Sequence, residues 1–229
     1  MTDWRETILG AIRDSLARGI LPGARRERPT RPPVLQAAAG PADLADAFAA
    51  ELQAAAGHVH APAGGAEALD VLLDIVRRHG AGAALAWDDE YLPLPGVRQA
   101  LAGAGVQVLD ATLPVEPAAR AARLAELDRA AVGITGALAG LADTGSLALA
   151  SGPGRGRIVS LLPAVHVALL PVARLYPTMA AFLADHPDVM RQASSLVFVT
   201  GPSRTADIEQ VLTLGVHGPR EVHVLLIRA

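Results

Sequence analysis

Ala83-Ala84-Leu85-Ala86-Trp87, Val106-Gln107-Val108-Leu109-Asp110 and Ala131-Val132-Gly133-Ile134-Thr135 are three short apolar runs separated by segments of helical pattern, 95–103 and 117–129. Each run has the length of a buried strand, and neither spacer is a hairpin turn. Strands joined by helices must lie parallel, with the helices crossing over the sheet faces. Upstream the same alternation continues. Helices are expected over 42–56, with Leu44, Phe48 and Leu52 on one face, and over 66–79, with Leu69, Leu72, Leu73 and Val76 inward; Val59 marks a short strand between them. Downstream, strands are expected at 146–151, 166–171, 196–200 and 221–227, and helices at 177–184 and 203–214. The expected fold class is therefore α/β, with one mainly parallel mixed sheet flanked by helices.

Ahead of this body, residues 2–18 read as a helix carrying Trp4, Ile8, Ile12 and Leu16 near helical spacing. Residues 19–41 hold Pro22, Pro29, Pro32, Pro33 and Pro41 among arginines and read as an extended linker. The expected organisation is a helix and Pro/Arg-rich linker over 1–41, and one α/β domain over 42–229.

The composition excludes several chemistries. No cysteine is present, which removes disulfides, thiolate nucleophiles and any iron–sulfur cluster held by this chain alone. All twenty basic residues are arginine, so neither a Schiff-base lysine nor a P-loop lysine exists. A net charge of −3 gives no footprint for nucleic acid. No signal-peptide pattern and no apolar stretch of about 18 residues occurs, so a cytoplasmic protein without a membrane span is expected.

Four segments place glycine and polar side chains at strand ends. Gly133-Ile134-Thr135-Gly136 leads to Ala142-Asp143-Thr144-Gly145-Ser146, where Asp143 can accept a hydrogen bond from a hydroxyl or, alternatively, cap its own tight loop. Ser151-Gly152-Pro153-Gly154-Arg155-Gly156-Arg157 can bring guanidinium groups over an anion, or form a solvated hairpin loop. It precedes His166, which opens an apolar strand where a lone histidine is more often structural. Gly201-Pro202-Ser203-Arg204-Thr205-Ala206-Asp207-Ile208-Glu209 follows a strand. As a helix start it offers free amides to an anion, with Arg204 adding charge; plain capping by Ser203 is the other reading. In Gly215-Val216-His217-Gly218-Pro219, His217 is free to exchange a proton near neutral pH. His58-Val59-His60 puts two imidazoles on one side of a strand, but with no third ligand evident no metal site is expected.

The order and spacing of these motifs resemble the LUD-domain family in its lactate-utilization protein C branch, over roughly residues 44–227. The residues that carry the resemblance are Ala142 to Ser146, Arg157 with Ser160-Leu161-Leu162-Pro163, His166, Gly201 to Glu209 and Gly215 to Pro219. The resemblance implies a fold similar to the sugar-isomerase and CoA-transferase-like class. It also implies a part in oxidising L-lactate to pyruvate with iron–sulfur partner proteins, which carry the clusters that this chain lacks. The site expected from the motifs takes His217, His166 and Asp143 as catalytic candidates. Thr144, Arg157, Ser203, Arg204 and Thr205 would bind a small carboxylate or phosphate, with Thr144, Arg157, His166, Ser203, Arg204 and His217 lining one cleft. Two other classes stand beside the enzyme component: a non-catalytic module that binds an organic anion or a nucleotide, and an assembly subunit.

Overall fold

The computed structural model describes residues 4–19, 40–206, 212–214 and 217–228. The chain divides into two compact units, residues 1–34 and 35–229. In the first, α1 (Trp4–Gly19) is a helix whose Ile8 and Ile12 are both about half exposed, 50% and 49%. The expected linker over 19–41 falls almost entirely outside the described residues.

The second unit is built on a six-stranded sheet in the order β1-β12-β7-β4-β2-β3, with every neighbouring pair parallel. These strands are β1 (His58–His60), β2 (Ala83–Ala86), β3 (Gln107–Leu109), β4 (Val132–Gly136), β7 (Val165–Pro171) and β12 (Glu221–Ile227). Central strands of a parallel sheet are covered on both faces, so they read as continuous apolar runs rather than alternating ones. All four residues of β2 and all five of β4 are buried accordingly, as are the first six of β7.

α2 (Pro41–Ala54) precedes β1, and the crossover helices are α3 (Gly65–Arg78), α4 (Val97–Gly103) and α5 (Pro117–Leu127). In α3 the buried residues Ala68, Leu72, Ile75 and Val76 fall on one helical stripe. Pro117 starts α5, where its missing N–H costs nothing. The Glu116 carboxylate caps that helix by accepting the N–H groups of Ala118 and Ala119, and these bonds hold its carboxyl below the ordinary range.

A second sheet of four strands packs beside the first, in the order β8-β5-β6-β9: β5 (Ala139–Leu141), β6 (Ser146–Ser151), β8 (Leu175–Tyr176) and β9 (Ser195–Val199). With α6 (Met179–Asp185) and α7 (Val189–Gln192) it encloses a small core of Ala139, Leu141, Ala148, Phe182 and Val189. The mainly parallel sheet flanked by helices is thus present, and beside it stands a second, mixed sheet that the sequence did not separate from it. The chain leaves the first at Gly136 and re-pairs three residues later as β5 (Ala-Gly-Leu). That strand is too short to announce itself by pattern.

The helix expected over 203–214 is absent from the described part of that range. Arg204–Ala206 (β10) and Leu212–Leu214 (β11) pair as an antiparallel hairpin, with Thr205 opposite Thr213. β-branched threonines at facing positions suit a ladder better than a helix interior. The backbone N–H of Ser203 donates to Pro219 O at 2.9 Å, so this residue ties two loops together and does not cap a helix. No described helix is long and apolar enough to cross a membrane.

Candidate functional site

Open parallel sheets bind ligands outside the carboxyl ends of their strands. Here that end is covered by a tight turn at Gly152–Arg157. Gly152 and Arg155 exchange backbone hydrogen bonds of 3.2 and 3.1 Å, and Gly154 takes a left-handed φ of 69°. The turn is pinned to the segment after β2. Asp88 N–H donates to Gly154 O at 2.8 Å, and the Trp87 indole N–H donates to Gly156 O at 3.0 Å. The segment is thus a tight hairpin loop with Pro153, Gly154 and Arg157 exposed, pinned by these bonds. It holds Arg155 to one side and Arg157 to the other.

On the Arg155 side lies a cavity of about 410 Å³ between the end of β4 and the second sheet. Arg155, Arg174, Tyr91, Tyr176 and His186 are on its walls. The Arg155 guanidinium sits 4.9 Å from the centroid of the Tyr91 ring, and its Nε is buried without a hydrogen-bond partner among the described residues. A buried charged donor left unsatisfied is unfavourable, and an anionic ligand would satisfy it. Arg174 is anchored by a 3.2 Å bond from one terminal nitrogen to Ala137 O. The Tyr176 hydroxyl donates to Asp185 at 2.7 Å, which raises its own pKa, and it therefore accepts from His186 Nε2–H at 3.1 Å. An Asp185–Tyr176–His186 chain thus orients the imidazole, leaving Nδ1 as its acceptor.

On the Arg157 side a second cavity, of about 670 Å³, is walled by Arg98, Asp88, Asp110, Thr112 and the exposed Arg157. Its charges are largely spoken for. Arg98 donates to Ala86 O, Trp87 O and Asp88, while Asp110 accepts the N–H and hydroxyl of Thr112, which holds its carboxyl low.

The other expected site residues are distributed differently. Asp143 and Thr144 are exposed, and they bond each other at 3.3 Å on a turn pressed against α2. A Cβ on Gly145 would come within 2.3 Å of Leu52 N. Gly201, with φ of 78°, packs against Ala55 at the end of the same helix, and Ser146 bonds Thr200. Ser203 meets Gly218 and Pro219. Gly145, Ser146, Thr200 and Gly201 thus gather at the C-terminal end of α2, and Ser203 meets Gly218 beside the exposed His217, whereas Arg157 and His166 lie elsewhere. Among the described residues, Arg157 is the one expected site residue on a wall of these two cavities. Arg204 and Thr205 lie on β10, whose side chains are outside the described residues.

His166 is wholly buried. Its Nε2 bonds Thr135 Oγ1 at 2.9 Å, its Nδ1 has no partner among the described residues, and burial pushes its pKa down to about 4. Enclosed in the sheet, it meets no cavity and reads as a core histidine. The glycines of Gly133-Ile134-Thr135-Gly136 are also structural. A Cβ on Gly133 would lie 1.9 Å from Val159 O, and one on Gly136 would lie 2.1 Å from Tyr91 O. Both admit neighbouring backbone, and Gly136 also lies on the wall of the Arg155 cavity.

The sequence singled out none of Arg174, Tyr176 and His186; of the two arginines on the loop it carried Arg157 to the site, and Arg157 lines the second cavity while Arg155 lines the first. At the amino end of the sheet it singled out His58 and His60 but not the Glu221 and His223 that join them. His58, Glu221 and His223 each offer a ligand atom within 4.8 Å of the others, and His60 Nε2 lies 3.1 Å from His223 Nδ1. Burial, opposed by the bond to Glu221, pushes His223 down to about 4, and burial also lowers His60.

The LUD domain family model matches residues 45–227. A lactate utilization protein C from Geobacillus sp. (strain WCH70) is 32% identical over 171 residues, covering 70% of this chain and 68% of that protein. Its counterpart from Anoxybacillus flavithermus is 34% identical over 164 residues, covering 71% and 70%. A crystal structure of a DUF162 family protein from Deinococcus radiodurans superposes with a TM-score of 0.60 at 19% identity, over 82% of this chain and 99% of that one, a likeness of fold. The sequence match spans both sheets and all the motifs described, and the chain belongs to the LUD domain family.

Proposed function

We propose that this chain is a component of lactate utilization that holds a small 2-hydroxy or 2-keto acid in the Arg155 cavity while partner proteins carry the electrons away. The observation that carries the reading is the buried, unpartnered Nε of Arg155, a residue that lines a cavity together with Arg174. A carboxylate between two guanidinium groups satisfies that donor and can be held by paired N–H bonds. The names of the relatives support the substrate class.

Oxidation of L-lactate to pyruvate releases two electrons and two protons. His186, with Nε2–H committed to Tyr176, would take the hydroxyl proton at Nδ1, and the Cα–H proton would leave with the two electrons to the acceptor. The electrons need an acceptor outside this chain, which has no cysteine to hold a cluster. Iron–sulfur partner proteins would fill that role.

The test is lactate-dependent reduction of an artificial electron acceptor by iron–sulfur candidate partners, with and without this chain. Turnover that requires the chain, and that falls at least 10-fold with Arg155→Met, is the expected result. Equal turnover with and without the chain overturns the proposal.

A further inference from the structure

Strands β1 and β12 form one edge of the parallel sheet, with His58 directly opposite His223. Neighbours in register point to the same face, as do residues two apart along a strand. Glu221, His223, His58 and His60 therefore share a face. α3 packs over this edge and ends at its C-cap residue His79, whose Nε2 lies 3.3 Å from Glu221 Oε2. His223 Nε2 lies 3.3 Å from the same oxygen. The group sits at the amino ends of the strands, whereas both large cavities open at the carboxyl ends.

We propose that His58, His223 and Glu221, completed by His79, bind one divalent transition-metal ion of the zinc class, a site separate from the organic-anion cavity. The donor set fits a borderline cation: imidazole nitrogen with one carboxylate suits zinc, cobalt, nickel or copper, and not magnesium or calcium, which take oxygen. Tetrahedral bonds of about 2.0–2.1 Å place ligand atoms roughly 3.3–3.4 Å apart. Glu221 already stands at that spacing from both His223 and His79. His58 must close from at most 4.8 Å. Its ring is stacked on His223 at 4.6 Å, and it is exposed and free to turn. His60 would serve as the outer partner, accepting the Nδ1–H of a metal-bound His223 and fixing its tautomer. The C-terminal end of α3 favours a cation, and nearby Arg78 is already paired with Asp74 at 2.8 Å.

Such an ion would join the edge strand β1 and the helix α3 that follows it to the last strand β12, remote from both in sequence. The full chain, without an affinity tag and after treatment with a chelator, is titrated with Zn²⁺ by calorimetry and with Co²⁺ by visible absorption. One equivalent should bind, raise Tm, and give the intense d–d bands of four- or five-coordinate cobalt.

Removal of an outer-shell partner of a metal site typically lowers affinity 10–100-fold. Loss of a direct ligand in His58→Gln or Glu221→Gln should therefore weaken binding at least 10-fold, and His217→Gln should leave it unchanged. His58 is exposed and Glu221 half-buried, so both variants should fold, as circular dichroism will verify. No saturable binding to the wild type, an aqua-like cobalt spectrum, or unchanged affinity in both ligand variants overturns the proposal. None of these outcomes bears on the lactate reading, which rests on the other end of the sheet.

Discussion

Replacing Arg155 by methionine should move stability and binding in opposite directions. The side chain is half-buried, its Nε is unpartnered, and its guanidinium lies over Tyr91 at 4.9 Å. Leaving a charged donor buried and unsatisfied costs about 1–3 kcal/mol in the ligand-free protein. Against this, the contact with Tyr91 contributes about 0.5–1 kcal/mol at a partly exposed site. Methionine keeps most of the apolar stem and removes both terms. The variant should therefore be as stable as the wild type or more so, by up to about 2 kcal/mol. For a domain of this size that raises Tm by roughly 2–4 °C per kcal/mol. Binding should respond the other way. A charge-assisted contact contributes about 1.5–3 kcal/mol, so affinity for lactate or pyruvate should fall about 10–100-fold. Urea denaturation and calorimetric titration measure the two quantities on the same preparations. A variant that is less stable by 2 kcal/mol yet binds both acids like the wild type would refute the reasoning, and Arg155 would then be a structural residue.

Tyr176→Phe removes the hydroxyl that links Asp185 to His186; the expected result is lower turnover in the reconstituted lactate assay with little change in the affinity for pyruvate. Gly133→Ala puts a Cβ within 1.9 Å of Val159 O, so the turn at Arg157–Ser160 must shift; chemical denaturation should register a loss of about 1–3 kcal/mol or more. His166 has its pKa lowered to about 4 by burial, against about 6.5 unfolded, so the unfolded chain binds the extra proton between those values. Stability should fall as pH drops through that window, by at most about 3 kcal/mol from this group. His166→Gln should flatten the slope, and an unchanged slope would locate the effect elsewhere.

The parallel sheet was legible because its strands are covered on both faces. A strand such as Val165–Pro171 must be apolar nearly throughout, and its crossover helices must carry one apolar stripe each, so pattern and topology are bound together. The second sheet was not legible in the same way. β5 and β8 are three and two residues long and take their stability from neighbours that are remote in sequence. The segment from Ser203 carried a helix-start signature that local rules favour. It was overridden by the pairing of Thr205 with Thr213 and by the tie from Ser203 to Pro219. Local propensity is a weak prior where tertiary partners are available.

The site was less legible, for a different reason. The glycine-rich motifs stand out because glycine tolerates what other residues cannot, and here that freedom lets backbone meet backbone. Gly133 and Gly136 clear room for Val159 and Tyr91, and Gly145 and Gly201 clear room for the end of α2. The side chains around the anion cavity lie at unremarkable positions: Arg174 in a turn, Tyr176 on a two-residue strand and His186 just past a short helix. Nothing in their spacing marks them, because their convergence is made by the second sheet folding against the end of β4. The histidines behave likewise. His58 and His60 announce a ligand pair, but the carboxylate and the third and fourth imidazoles arrive only when β12 pairs with β1 and α3 ends above them. Motifs in this chain thus mark where the backbone is crowded. The proposed chemistry lies where the topology brings ordinary residues together, which is why Arg155, whose Nε is buried without a partner among the described residues, is the residue to test first.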